Sequence, residues 1–357
     1  MKNIRVLVVD DSAFSRRTIT GMLQGFDGVD VAGYAANGEE GIQKVIALKP
    51  DLVTLDLEMP RMDGFTLLRI LATRFSIPVI VISVLSGAEN VFKALELGAL
   101  DFIVKPSSTS AKDLLSIRDD LRKKVTQAVE LRLSGSRRSQ SITRESSWEK
   151  ERCSQPAPLA GDTLRNPLEI VAIGASTGGP PALQNIFSAF ERRFPFAVVV
   201  SQHMPAGFTK AFAERLNRLS AFEIKEAEDG DAVLPGRVLI APGAMNLVLE
   251  NHGGRVIVRV VAPTATDRYL PSVDVMFESC ARIYRNRMLA VILTGMGNDG
   301  SKGVRAVKEQ GGYIISESEE TAVVYGMPRE AVATGFVDHV APLHEIARDI
   351  LIKGDFM

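Results

Sequence analysis

A chain of 357 residues is too long for one ordinary domain and suits two. Its 46% hydrophobic and 24% charged residues are those of globular domains, and a net charge of −1 gives no reason to expect a nucleic-acid or membrane surface. The longest apolar runs, such as Phe196–Val200, fall far short of the roughly 20 residues that span a bilayer.

The N-terminal stretch lacks a secretory pattern, and Cys153 and Cys280 lack metal-ligand spacing. A cytoplasmic, disulfide-free, monomeric protein is expected.

Residues 1–132 alternate apolar strands and amphipathic helices. Strands are expected at Ile4–Val9, Val29–Tyr34, Leu52–Leu55, Val79–Ile82 and Phe102–Val104. Helical patterns fall at Ser15–Gly25, Gly38–Leu48, Gly64–Arg74, Ala88–Leu97 and Ala111–Leu131. Such βα units in a row predict a parallel sheet covered by helices on both faces.

Residues 133–166 then change composition, to Ser, Arg, Glu and Pro without apolar period. Such a stretch buries too little surface to offset its ordering entropy and reads as a flexible linker, with Trp148 as a candidate partner contact.

Over 167–357 the βα rhythm resumes. Strands are expected at Glu169–Ile173, Phe196–Ser201, Val238–Ile240, Ala290–Leu293 and Tyr313–Ser316, with helices at Pro180–Phe190, Phe208–Leu219, Ser272–Tyr284, Ser301–Gln310 and Leu343–Leu351. Leu247–Glu250 and Val256–Val260 flank Asn251-His252-Gly253-Gly254, which predicts an inserted antiparallel hairpin. The fold class is α/β twice over, the second domain a doubly wound parallel sheet carrying that hairpin.

In an open parallel sheet, reactive groups gather beyond the carboxyl ends of the strands. The first domain places Asp10-Asp11, Asp56, Ser83 and Lys105-Pro106 there. Crowded carboxylates repel one another, and a hard divalent cation such as Mg²⁺ relieves the repulsion. Asp56 can then act as a nucleophile toward phosphorus, with Lys105 and Ser83 holding the phosphoryl oxygens. Any one of these acids could instead cap a helix.

Val8-Val9-Asp10-Asp11-Ser12, Leu55-Asp56-Leu57-Glu58-Met59-Pro60, Asp63-Gly64 and Lys105-Pro106 resemble a response-regulator receiver domain. The resemblance implies a flavodoxin-like fold and phosphorylation of Asp56 by a histidine kinase. It also implies Mg²⁺ held by Asp10, Asp11, Asp56 and the Glu58 backbone carbonyl. Ser83 and Phe102 would move together as a switch, and Lys105–Pro106 would be cis.

In the second domain, Glu169–Ile173 runs into Gly174-Ala175-Ser176-Thr177-Gly178-Gly179, and a helix begins at Pro180. Gly-x-Ser-x-Gly between strand and helix is a nucleophile elbow, with the Thr177 N–H as first oxyanion donor. A dinucleotide-binding loop would want an acid at the end of the next strand, where Gln202-His203 stands instead. His203 is therefore the favoured base and Asp299 its carboxylate partner, although Asp299 could simply cap the following helix. His339 is the alternative imidazole; His252 is expected in a solvent-facing turn.

Those residues, with Gln202-His203-Met204-Pro205, Pro271-Ser272-Val273-Asp274, Leu293-Thr294-Gly295-Met296-Gly297 and Gly326-Met327-Pro328-Arg329, resemble the chemotaxis protein-glutamate methylesterase family. The resemblance implies a phosphorylation-released esterase acting on γ-glutamyl methyl esters of methyl-accepting chemoreceptors, and deamidation of receptor glutamines. It would meet the membrane only through those receptors. It carries over Ser176, His203 and Asp299 as the triad and Thr177 and Met296 as oxyanion-site residues. Two departures are Asn246, where relatives often have histidine, and Ser316-Glu317-Ser318, where they often have glutamine; neither is expected to touch the triad. A non-enzymatic output gripping phosphate or a nucleotide is the rival reading, and a DNA-binding output lacks a helix-turn-helix pattern.

Overall fold

The computed structural model describes residues 3–84, 88–106, 111–126, 128 and 167–357. The expected linker, with Trp148, lies outside the described residues. The chain divides into two compact units, Met1–Ser147 and Trp148–Met357.

In the first unit, β1 (Ile4–Val9), β2 (Val29–Ala35), β3 (Leu52–Leu55), β4 (Val79–Val84) and β5 (Asp101–Lys105) form one parallel sheet in the order β2-β1-β3-β4-β5. Val6–Val9, Leu52, Val53 and Val79–Ile82 are buried, as strands covered on both faces require. Helix starts follow side-chain caps. Ser12 accepts from Ser15 N–H ahead of α1 (Ala13–Gln24), Asn37 from Glu40 N–H ahead of α2 (Gly38–Leu48), and Asp63 from Thr66 N–H ahead of α3 (Gly64–Ile70).

The helix expected over Gly64–Arg74 changes at Leu71 into a π-helical segment, Leu71–Phe75. After α4 (Ala88–Glu96), the long final helix is broken. Ala111–Leu114 (α5) passes through a 3-10 turn at Leu115–Ile117 and resumes over 118–126 (α6). The expected cis bond at Lys105–Pro106 is not found. Trans is the lower-energy isomer of an X–Pro bond, and among the described residues the cis bond is Leu270–Pro271.

The second unit has seven parallel strands: β6 (Ile170–Ala175), β7 (Ala197–Gln202), β8 (Glu223–Glu226), β9 (Arg237–Ile240), β12 (Met288–Ile292), β13 (Tyr313–Glu317) and β14 (His339–Ala341). Their order is β14-β13-β12-β6-β7-β9-β8. From β6 the chain winds to one side and then returns to the other through β12. The crevice beyond the ends of β6 and β12 is thus the switch point at which open α/β sheets build sites.

Helices α7 (Gly179–Ser188), α8 (Phe208–Leu219), α9 (Val273–Tyr284), α10 (Ser301–Glu309), α11 (Met327–Ala333) and α12 (Leu343–Lys353) complete the unit. Met276, Phe277 and Cys280 of α9 pack with Ile170, Ala172, Met288 and Ala290 in one core cluster. Phe187, Phe190, Phe196 and Phe222 form an aromatic group with ring centroids 5.4–6.4 Å apart.

The hairpin strands β10 (Asn246–His252) and β11 (Arg255–Val261) pair antiparallel around Gly253-Gly254, both at positive φ, as a tight two-residue turn demands. His252 ends β10, exposed. Strands β8 and β14 and helix α11 were not expected. The two strands are short sheet edges bearing polar residues, where apolar alternation is weakest.

Candidate active site and phosphoacceptor pocket

Two pockets of titratable groups occupy the strand ends, one in each unit. In the first, Asp10 follows β1 and Asp56 follows β3, and Asp56 N–H donates to Val9 O at 2.9 Å. Asp10, Asp11 and Asp56 each offer an oxygen, all within 4.8 Å of one another. That spacing of hard oxygen donors suits a divalent cation. Asp10 and Asp56 are buried, while Asp11 is exposed.

Lys105, the last residue of β5, reaches across the pocket, donating to Asp10 Oδ2 at 2.8 Å and also to Asp56 Oδ2. Burial holds the Asp10 carboxyl above its ordinary pKa, although Lys105 opposes the shift. Burial would depress the Lys105 ammonium, but Asp56 and Asp10 together outweigh it and raise its pKa. Ser83 is buried in β4, one residue from its end and opposite Val104. Phe102 is buried in β5 beneath the Lys124 ammonium, which lies 5.1 Å from the ring centroid. Glu58 is exposed just beyond Asp56.

In the second unit, Ser176 is the first residue past β6. Its N–H donates to Thr294 O at 3.0 Å, and its carbonyl accepts from Gly179 N–H at 2.8 Å and Gln202 Nε2 at 2.9 Å. The chain turns through Gly178, at φ +79°, into α7, whose first turn carries Pro180 and Pro181. A side chain at Gly295 would meet Ser176 Cβ at 2.7 Å, so only glycine lets the β12 loop lie against the elbow.

The pairing of β6 with β7 ends at Ala175 and Gln202, and His203 N–H donates to Ala175 O at 3.0 Å. Extended by one residue, that register sets His203 beside Ser176. His203 Nε2 lies 2.8 Å from Asp299 Oδ2, and because an ionised carboxylate can only accept, Nε2–H is the donor. Nδ1 is therefore the ring nitrogen left with a basic lone pair. Ser176 Oγ and His203 are not hydrogen-bonded in this state.

Asp299 is buried and caps no helix of its own. Its carboxylate lies on the N-terminus of α9, accepting from Val273 N–H at 2.7 Å, Asp274 N–H at 3.0 Å and Ser272 Oγ at 3.2 Å, and from Gly300 N–H at 3.1 Å. Burial would raise its pKa; the His203 ring and those N–H groups prevail and lower it.

Sequence reasoning missed several supporting residues. The Tyr269 ring stacks on His203, centroids 5.2 Å apart and planes 6° from parallel. Asn246 Oδ1 accepts from Ser272 N–H at 2.9 Å, and Glu317 accepts from Thr294 N–H at 2.8 Å. Asn246 thus reaches Asp299 through Ser272, and Glu317 reaches Ser176 through Thr294. Ser272-Val273-Asp274 was visible as a motif; Tyr269 carried no signal, because its partner is chosen by a loop's path.

Thr177 is buried and Met296 half-buried in the turns flanking Ser176. His339 instead pairs with Asp349 at 3.2 Å on the sheet-edge strand β14, three strands from β6, so the alternative imidazole is not brought to the elbow.

The chain is similar to known proteins over both units. Residues 171–350 match the CheB methylesterase family model, and residues 6–116 match the response regulator receiver domain. A relative from Geobacter sulfurreducens, named protein-glutamate methylesterase/protein-glutamine glutaminase 3, is 57% identical, with 98% of this chain and 97% of that one covered. The protein-glutamate methylesterase/protein-glutamine glutaminase 1 of Myxococcus xanthus is 47% identical, over 96% of this chain and 95% of that one. The crystal structure of the Thermotoga maritima CheB methylesterase catalytic domain is 44% identical, with a TM-score of 0.51, and covers 52% of this chain and 98% of that one. The chain therefore belongs to the CheB methylesterase family, in the form that carries a response regulator receiver domain ahead of the esterase.

Proposed function

We propose that this chain hydrolyses γ-glutamyl methyl esters of methyl-accepting chemoreceptors, releasing methanol, and deamidates receptor glutamines, under control of phosphorylation at Asp56. The observation that carries the reading is the 2.8 Å His203–Asp299 pair set beside Ser176 at the switch point of the sheet. Family membership supplies the ester and amide chemistry.

Ser176 Oγ attacks the ester carbonyl while His203 Nδ1 takes its proton. Asp299 fixes the Nε2–H tautomer and stabilises the imidazolium. The developing oxyanion is held by the Thr177 N–H in the turn ahead of α7, with Met296 alongside. His203 returns the proton to departing methoxide, giving methanol and a glutamyl ester of Ser176. Water, deprotonated by the same nitrogen, releases the free glutamate; for glutamine the first leaving group is ammonia.

In the receiver, Asp56 accepts a phosphoryl group from a histidine kinase as an acyl phosphate. Asp10, Asp11, Asp56 and the Glu58 carbonyl would hold Mg²⁺, which when bound would offset charge on the phosphoryl oxygens. Lys105 and Ser83 contact those oxygens, and Phe102 follows Ser83 in the switch. We place the protein in the cytoplasm. Among the described residues no helix is long and apolar enough to cross a membrane, and Cys280 is a buried free thiol.

The test is Ser176→Ala in the full-length protein, with methanol release from methyl-esterified receptors as the readout. Activity should vanish while the fold is kept; retained turnover would remove Ser176 from the nucleophile's role.

A further inference from the structure

Glu317 is the last residue of β13 and fully buried, yet no cation pairs with it among the described residues. A buried carboxyl without a counter-ion is costly to keep unless its hydrogen bonds do something specific. Its Oε2 accepts from Thr294 N–H at 2.8 Å and its Oε1 from Thr321 Oγ1 at 3.0 Å. The Thr321 hydroxyl in turn accepts from Leu343 N–H at 2.9 Å, at the start of α12. One lone pair of that hydroxyl is thereby occupied, and its single proton is directed at Glu317.

Thr294 is the residue that holds both sides of the elbow. Its carbonyl accepts from Ser176 N–H at 3.0 Å, and its hydroxyl donates to Thr177 O at 2.9 Å. The same hydroxyl accepts from Val324 N–H at 2.9 Å. A continuous strut therefore runs from the α12 N-terminus through Thr321, Glu317 and Thr294 to the two peptides bearing the nucleophile and the oxyanion donor.

We infer that Glu317 is a positioning residue for ester hydrolysis, acting through Thr294 to fix the Ser176–Thr177 turn. The inference rests on the reading of Ser176 as nucleophile. A side chain that cannot accept from Thr294 N–H frees that peptide, and the elbow drifts by a fraction of an ångström. Glutamine preserves the strut: its carbonyl accepts from Thr294 and its amide donates to the remaining lone pair of Thr321. Leucine of similar size does not.

The experiment uses full-length protein with a small-molecule phosphodonor, methanol release from methyl-esterified receptors, and a fluorophosphonate to count competent Ser176 sites. Turnover is expressed per labelled site, so a smaller folded fraction cannot mimic mispositioning. Glu317→Leu should lower kcat about 10- to 100-fold with KM within about twofold, and Glu317→Gln should stay within about threefold of wild type. Thr321→Val, at a half-buried position, should lower kcat about threefold or more.

Unchanged turnover per site in Glu317→Leu overturns the proposal. If that variant does not fold, Thr321→Val decides, and wild-type turnover there overturns it. Wild-type protein that hydrolyses esters without labelling at Ser176 instead sinks the nucleophile assignment, which separates the two failures.

Discussion

Asp299 and Val273 stand 26 residues apart and are joined by a 2.7 Å hydrogen bond from the first backbone N–H of α9 to the carboxylate that also receives His203. The N-terminus of one helix thus holds the carboxylate that pairs with the imidazole. Asp299→Asn tests this. Three donors surround Oδ1, so the amide oxygen settles there and the NH₂ group faces His203 Nε2, at the loss of the single Val273 N–H bond. The imidazole must then carry its proton on Nδ1, where it cannot accept from Ser176. Turnover should fall about 10³- to 10⁴-fold with the fold retained. Methanol release within tenfold of wild type would show that the tautomer is not set by Asp299.

Tyr269 offers a gentler perturbation of the same ring. Its parallel stack on His203 contributes through ring contact, worth about 0.5–1.5 kcal/mol, and needs no hydroxyl. Tyr269→Phe should keep kcat within about twofold, and Tyr269→Ala should lower it about three- to tenfold. Equal losses in both variants would assign the effect to the hydroxyl.

Asp274, beside Asp299 in the first turn of α9, gives a pH signature. Burial, followed by the charge of Asp299, pushes its pKa up to about 6 from an ordinary 3.8, against the N–H bond from Gly303. The folded state therefore binds this proton more tightly than the unfolded chain. The associated stability is complete below about pH 3.8 and is lost as pH rises through about 6. Asp274→Asn keeps an acceptor for Gly303 N–H, 2.8 Å away, and removes the charge. By calorimetry its Tm should exceed that of wild type at pH 7.5, with the gain shrinking toward pH 5. A difference that stays constant with pH would mean Asp274 does not titrate as described.

The strand ends were legible because apolar runs such as Ile170–Ala175 stop abruptly at polar residues, and parallel sheets collect those stops on one rim. That places Ser176, His203 and Asp299 together without coordinates. What sequence could not give was the direction of each hydrogen bond. Asp299 looked able to cap the helix after it, and instead it caps α9, reached only by the return of the chain through the hairpin. Glu317 stood out only as a departure from the glutamine of relatives, because nothing in a strand's alternation says which neighbouring peptide its side chain meets. Strands β8 and β14 escaped for the opposite reason: Glu223–Glu226 and His339–Ala341 are too short and polar to stand out at a sheet edge.

The receiver pocket makes the last prediction. Lys105 already bridges Asp10 and Asp56, so the buried carboxylates are partly neutralised, and exposed Asp11 adds negative charge beside them that a proposed Mg²⁺ would meet. Asp11→Asn should shift stability by no more than about 0.5 kcal/mol, being a surface change, while raising the Mg²⁺ needed for phosphorylation at least about tenfold. Asp56→Asn should abolish acyl-phosphate formation at any Mg²⁺ concentration. Methanol release by wild type should rise with phosphodonor and Mg²⁺ and lose that rise on chelation, whereas Asp56→Asn should show one rate throughout. A wild-type response that survives chelator would separate phosphorylation from the three-carboxylate site. A response that survives Asp56→Asn would move the phosphoacceptor elsewhere.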